Sequence, residues 1–255
     1  GDSLTRTFGE NDPLERRTAT DTGSLAGSLS APLGNFRLTS TFDSSLIEST
    51  TQIDNPFDTQ DLEDAAANGT LALDGSLPNA AEAGFETAFS RVTTASNLNT
   101  LRGPLADLPA GELLTTFDLG YSWNRLESSD TRTLQDVQLT RGNLQTGANI
   151  AIPITSRRTG FADALGSFTL NAQVGLEELS DFGTLGDYNV SLNWQPADGL
   201  DLSATYIYRE VAPGLASLGN PEITSFNVPV FDFVNGETVL ATVTSGGTPD
   251  LPAET

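Results

Sequence analysis

The chain has 255 residues, 37% of them hydrophobic, with 34 acidic side chains against 12 basic ones and a formal charge of −22. Such a surface repels nucleic-acid phosphates, so no nucleic-acid partner is expected. The lack of histidine and cysteine removes the commonest general base, thiolate nucleophiles, disulfides and the imidazole and thiolate metal ligands, so an enzyme here would have to work with carboxylates, Tyr or Ser alone; the expectation is a non-enzyme with no cofactor.

No apolar run approaches the ~20 residues that a membrane helix requires. A barrel strand places only every second residue in lipid, so low overall hydropathy is compatible with a membrane wall. Methionine is absent and the first residues show no secretory signal, which predicts an internal or processed piece of a longer protein.

In chain order, alternation and turn residues predict eight strands, near 19–31, 36–47, 93–102, 112–126, 138–153, 166–178, 187–195 and 200–210, followed by a loop region over 211–255. The fourth is the clearest. Leu113, Thr115, Phe117, Leu119, Tyr121 and Trp123 share one face, and Thr116, Asp118, Gly120, Ser122 and Asn124 share the other. The same period of two runs through Phe168 to Leu176, Tyr188 to Trp194 and Leu202 to Tyr208. Trp123, Trp194, Tyr188, Tyr206 and Tyr208 lie near strand ends, where an interfacial aromatic girdle belongs. The third strand alternates poorly.

The links alternate too. Ala31 to Asn35, Gly103 to Gly111, Ile154 to Leu165 and Gln195 to Gly199 are mostly short and rich in Pro and Gly. The others are polar and acidic; from Asp54 to Glu86 there are eight acids and no arginine. Short periplasmic turns alternate with longer extracellular loops in outer-membrane barrels, which orients the acidic links outward. Within the first of them, 61–68 is expected to form a short helix and 75–86 to be irregular.

Four local stretches resemble the TonB-dependent outer-membrane receptors. Arg102-Gly103-Pro104-Leu105-Ala106-Asp107-Leu108-Pro109-Ala110-Gly111 is similar to that family's GPLFDLPAG hairpin. Ile152 to Arg158, followed by Leu179 to Gly183, is a second match. A third runs from Asn193-Trp194-Gln195-Pro196 through Gly199-Leu200 to Ala212-Pro213. The fourth is Phe231-Asp232-Phe233-Val234-Asn235-Gly236-Glu237-Thr238-Val239 with Gly246-Gly247-Thr248-Pro249, where Thr248 stands for the usual Asn.

The resemblance covers residues 93–251 well and implies an all-β fold: an antiparallel transmembrane β-barrel segment with long extracellular loops, about eight of the ~22 strands of a plugged transporter. It also implies an outer-membrane location in a Gram-negative bacterium and a role in importing a scarce nutrient, such as siderophore-bound iron, cobalamin or an oligosaccharide. The implied partners are that ligand, lipid and lipopolysaccharide, and the TonB–ExbB–ExbD complex acting through a plug that this chain lacks. The competing reading is a secreted or surface β-rich adhesion protein with Ca²⁺-binding acidic loops.

The lumen-facing candidates for substrate or plug contact are Asp118, Asn171, Gln173, Asn189, Asn193, Asp201 and Arg209. For a metal the expectation is none. Asp58, Asp61, Glu63 and Asp64 are weak candidates, since the stretch lacks the glycine turn and terminal glutamate of an EF-hand loop. Glu177 and Glu178 are neighbours on a strand and point to opposite faces, so they cannot flank one glycosidic bond.

Overall fold

The computed structural model describes residues 14–71 and 84–254. Eight strands form one antiparallel sheet in strict chain order: β1 (Arg16–Leu33), β2 (Phe36–Asp54), β3 (Phe85–Leu108), β4 (Gly111–Asp130), β5 (Asp136–Thr155), β6 (Ser167–Leu179), β7 (Gly183–Ala197) and β8 (Leu200–Arg209). A second sheet is the hairpin of β9 (Ile223–Asp232) and β10 (Glu237–Ser245), and two short helices, α1 (Gln60–Ala67) and α2 (Leu215–Gly219), complete the fold. Among the described residues β1 and β8 pair only on their inner sides, so the eight strands form an open meander.

Most strands run longer than their alternation predicts, β2 and β3 above all. β2 continues past residue 47 to Asp54, and β3 begins at Phe85 rather than 93 and continues to Leu108. The Ser- and Thr-rich stretch 44–51 has no apolar face of its own; register with its neighbours holds it, with Ser49 opposite Ser90 and Thr51 opposite Ala88. At the far end, the expected link 103–111 shrinks to Pro109-Ala110, and a bulge between Pro104 and Ala106 accommodates the proline. Part of the expected irregular stretch 75–86 lies outside the described residues; Phe85 and Glu86 open β3.

The expected loop region 211–255 is corrected by α2 and the β9–β10 hairpin. Asn227 in the left-handed region (φ 55°) and Pro229 interrupt the alternation of β9 and hide it from sequence reading. β9 tolerates the proline because it pairs with β10 on one side only.

Register fixes which residues share a face. Phe117 lies opposite Leu101 and Ala148, Val174 opposite Ala148 and Tyr188, and Tyr188 opposite Tyr208. This face carries Leu25, Leu29, Phe42, Leu46, Leu119, Leu144, Leu176, Val190, Leu192 and Trp194, all exposed; Leu119 is 55% and Leu29 71% exposed. Ser40, Ser44, Asn97 and Asn99 interrupt it on β2 and β3. The two amides are satisfied within the sheet, Asn99 Nδ2 donating to Asn97 Oδ1 (2.7 Å) and Asn97 Nδ2 to the Thr41 carbonyl (3.0 Å).

The opposite face is polar, and two hollows open on it, one beside Asp118 and Asp187 and one beside Asn193 and Asp201. The sparse core follows from this architecture. Leu126 is the one large side chain fully buried among the described residues, which contributes roughly 2 kcal/mol, and the backbone ladder carries the rest.

Candidate functional site: a polar hollow on the concave face

A single cross-strand row builds the site. Asp118 on β4 faces Gly147 on β5, which faces Gly175 on β6, then Asp187 on β7, then Arg209 on β8. The two glycines leave no side chain between the two aspartates, which stand three strand spacings apart, about 14 Å. The result is a hollow of about 480 Å³ walled by Asp118, Gln145, Glu177, Asp187, Gln173 and Asn189, with Arg209 at one side. A Cβ at Gly175 would press on the Asp187 carboxylate, and one at Gly147 would sit at ordinary contact, 3.6 Å from the Val174 carbonyl.

The walls are partly preorganised. Thr100 Oγ1 donates to Asp118 Oδ1 (2.7 Å) and Asn189 Nδ2 to Gln173 Oε1 (3.0 Å). Three carboxylates face one guanidinium, so the hollow is a hydrogen-bond acceptor surface with negative potential. It presents no paired nucleophile and base. Its chemistry is recognition of hydroxyl or amine donors.

Of the seven lumen-facing candidates, Asp118, Gln173, Asn189 and Arg209 line this hollow. Asn193 and Asp201 line a second one of about 410 Å³ toward the tight turns. Asn171 lies between them, opposite Ala151 and Ser191 on the same face. Gln145, Glu177 and Asp187 were not among the candidates. The signal that identifies them is glycine within an alternating strand, Gly147 and Gly175, which marks a close approach or a gap. Glu178, on the other face, is bonded to the Thr184 hydroxyl.

The acidic stretch before residue 65 folds as α1. Gln60 N donates to Asp58 Oδ1 (3.0 Å), Thr59 Oγ1 to Glu63 Oε1 (2.9 Å) and Gln60 Nε2 to Asp64 Oδ1 (3.1 Å). These carboxylates hold the first turns of the helix, Asp61 among them as a first-turn acid favourable to the helix dipole. Among the described residues no three His, Cys, Asp or Glu side chains are grouped to hold a metal ion.

An ionic belt edges the apolar face at the end away from the tight turns: Arg91 Nε to Glu48 Oε1 (2.6 Å), Arg91 Nη1 to Glu127 Oε2 (3.7 Å) and Arg125 Nη2 to Glu127 Oε1 (2.6 Å). Between belt and turns, Tyr188 stacks on Tyr208 (5.1 Å), and Trp194 Nε1 donates to the Leu165 carbonyl (2.8 Å). No protein-family model, curated protein or solved structure matches the chain significantly.

Proposed function

We infer that this chain is a wall segment of a TonB-dependent receptor barrel in a Gram-negative outer membrane, with the apolar face in lipid and the polar hollow toward the lumen. The observation that carries the reading is an exposed, largely apolar face, broken by Ser and Asn on β2 and β3, opposite a polar one across eight strands. Such a patch far exceeds what a soluble monomer exposes to water. On β4 the apolar positions run from Leu113 to Trp123, about 33 Å of strand, which at the usual tilt spans the ~25 Å apolar band of an outer-membrane barrel. Arg125 and its ionic belt follow at the headgroup level. No helix among the described residues is long and apolar enough to cross a membrane.

The open edges of β1 and β8 require further strands before the wall can close in lipid. In this reading the chain performs no chemistry: it walls the path of a scarce nutrient whose import is driven by the TonB–ExbB–ExbD complex through a separate plug. Ferric siderophores, cobalamin and oligosaccharides are the ligand classes. The adhesion reading gains no support from α1, whose acids serve the helix.

The test is uptake by cells bearing the full-length protein. Loss of growth on a limiting nutrient on deleting either this gene or TonB supports the reading. A full-length protein found in the soluble fraction overturns it.

A further inference from the structure

Residues 211–222 leave β8 and fold back over the polar face as a strap, with α2 the element that packs on β4 and β5. The landing place is unusual for that face. Ile47, Val92, Leu126 and Leu139 form one cross-strand row of aliphatic residues on a largely polar surface, where Leu98 and Ile207 are more scattered apolar positions. Leu218 is 7% exposed and Leu126 fully buried. The strap touches the row closely at Gly219, where a Cβ would lie 2.6 Å from Leu139 Cδ1 and 3.1 Å from Leu126 Cδ2. Ser128 Oγ donates to the Gly219 carbonyl (2.5 Å).

The latch is Arg141. Its guanidinium, 8% exposed, is bidentate on Asp181 (2.7 and 2.8 Å), lies 5.1 Å from the Phe182 ring centre and sends Nη1 to the Pro213 carbonyl (2.8 Å). Asp181 and Phe182 belong to the β6–β7 link, so the strap can leave while Arg141 keeps its counter-charge. Arg141 stands four positions before Gln145 along β5, about 13 Å of strand, so the strap lies on the loop-end side of the hollow without lining it.

The grip is one-sided. Over β2 and β3 a gap of about 460 Å³ separates Ser49, Thr51 and Ser90 from Ser217, Asn220 and Pro221. The strap is bonded to the segment after β10, Gly247 N to the Asn220 carbonyl (3.0 Å) and Thr248 N to the Ser217 carbonyl (2.8 Å), so strap and hairpin form one body.

We propose that this body is a gate on the loop-end side of the hollow, closed by Arg141, Ser128, the Arg132–Glu222 pair and the aliphatic row, and opened as a unit when a ligand enters from the loop end. Arg132, paired with Glu222, adds a further hold at the far end of the strap, but among the described residues no ladder hydrogen bonds join the strap or the β9–β10 hairpin to the eight-stranded sheet, so opening costs less than unfolding that sheet. That the gate controls ligand passage rests on the receptor reading; that it opens as a unit does not.

The test uses the full-length protein in outer-membrane vesicles with Ser128→Cys as a near-isosteric reporter beneath the strap and Ser217→Cys as an exposed one. Maleimide labelling of Ser128→Cys is expected to be slow, and Arg141→Gln or Leu218→Ser should accelerate it about tenfold or more, whereas Asp118→Asn, away from the strap, should not. Ser128→Cys that labels as fast as Ser217→Cys overturns the proposal, as do correctly inserted latch variants that label at the parental rate. Labelling that follows the latch in a protein that imports nothing retains the gate and overturns the receptor reading.

Discussion

At the scale of single residues, alternation makes neighbours into opposites. Leu119 stands among the exposed apolar positions and Asp118 in the polar hollow. In the full-length protein Leu119→Arg is expected to lose about 2 to 4 kcal/mol in a folding titration into lipid, because a guanidinium would sit in hydrocarbon; Asp118→Asn should lose far less. Equal losses would refute the assignment of faces. Asp232 offers a second test at the tip of the β9–β10 hairpin. The Val234 amide donates to Oδ1 (2.8 Å) and Asn235 Nδ2 to Oδ2 (2.7 Å), and these bonds hold the carboxyl below the ordinary aspartate range. A lowered folded pKa means that the contribution to the turn is present above the unfolded value and lost as pH falls through the lower one. The Val234 amide resonance should therefore shift at acid pH, and Asp232→Asn should abolish the shift.

At the scale of elements, the hairpin turns decide how closely strands and links approach. Gly166, at the start of β6, has φ +79°, and a Cβ there would lie 2.8 Å from Pro196 Cα and closer still to the Gln195 carbonyl. Gly166→Ala combines left-handed strain with a backbone clash and is expected to cost roughly 1 to 3 kcal/mol. Gly27→Ala in β1, where nothing lies within 4 Å, should be near neutral or slightly stabilising in the same denaturation assay. Strand ends were the poorly legible part of this sequence. Ser44 to Thr51 and Phe85 to Val92 carry no strong alternation, and their pairing was decided by neighbours on both sides. β9 escaped notice for a local reason, Asn227 and Pro229 breaking its period.

At the scale of the whole molecule, the unpaired outer edges of β1 and β8 dominate behaviour. Eight strands suffice for a narrow barrel, but here the polar face carries Asp118, Glu177, Asp187 and Arg209, which suit a wetted surface and not a packed interior. The chain expressed alone in detergent is expected to elute as aggregates with exposed edges, without a heat-modifiable monomer on electrophoresis. A monodisperse eight-stranded barrel that binds a nutrient would contradict both the open sheet and the receptor reading.

What the amino-acid order determined alone was the all-β class, the approximate place of eight strands and which residues of each share a face, because side chains on a strand alternate strictly. Tight links at Gly34-Asn35 and Asp198-Gly199 were legible for the same local reason. Only the tertiary structure decided that Asp118, Gly147, Gly175 and Asp187 stand in one row, since register between strands tens of residues apart depends on all the ladders between them. It alone brought Gly219 to Leu126 and Pro213 to Arg141, contacts made across the polar face by a segment whose local pattern reads as loop.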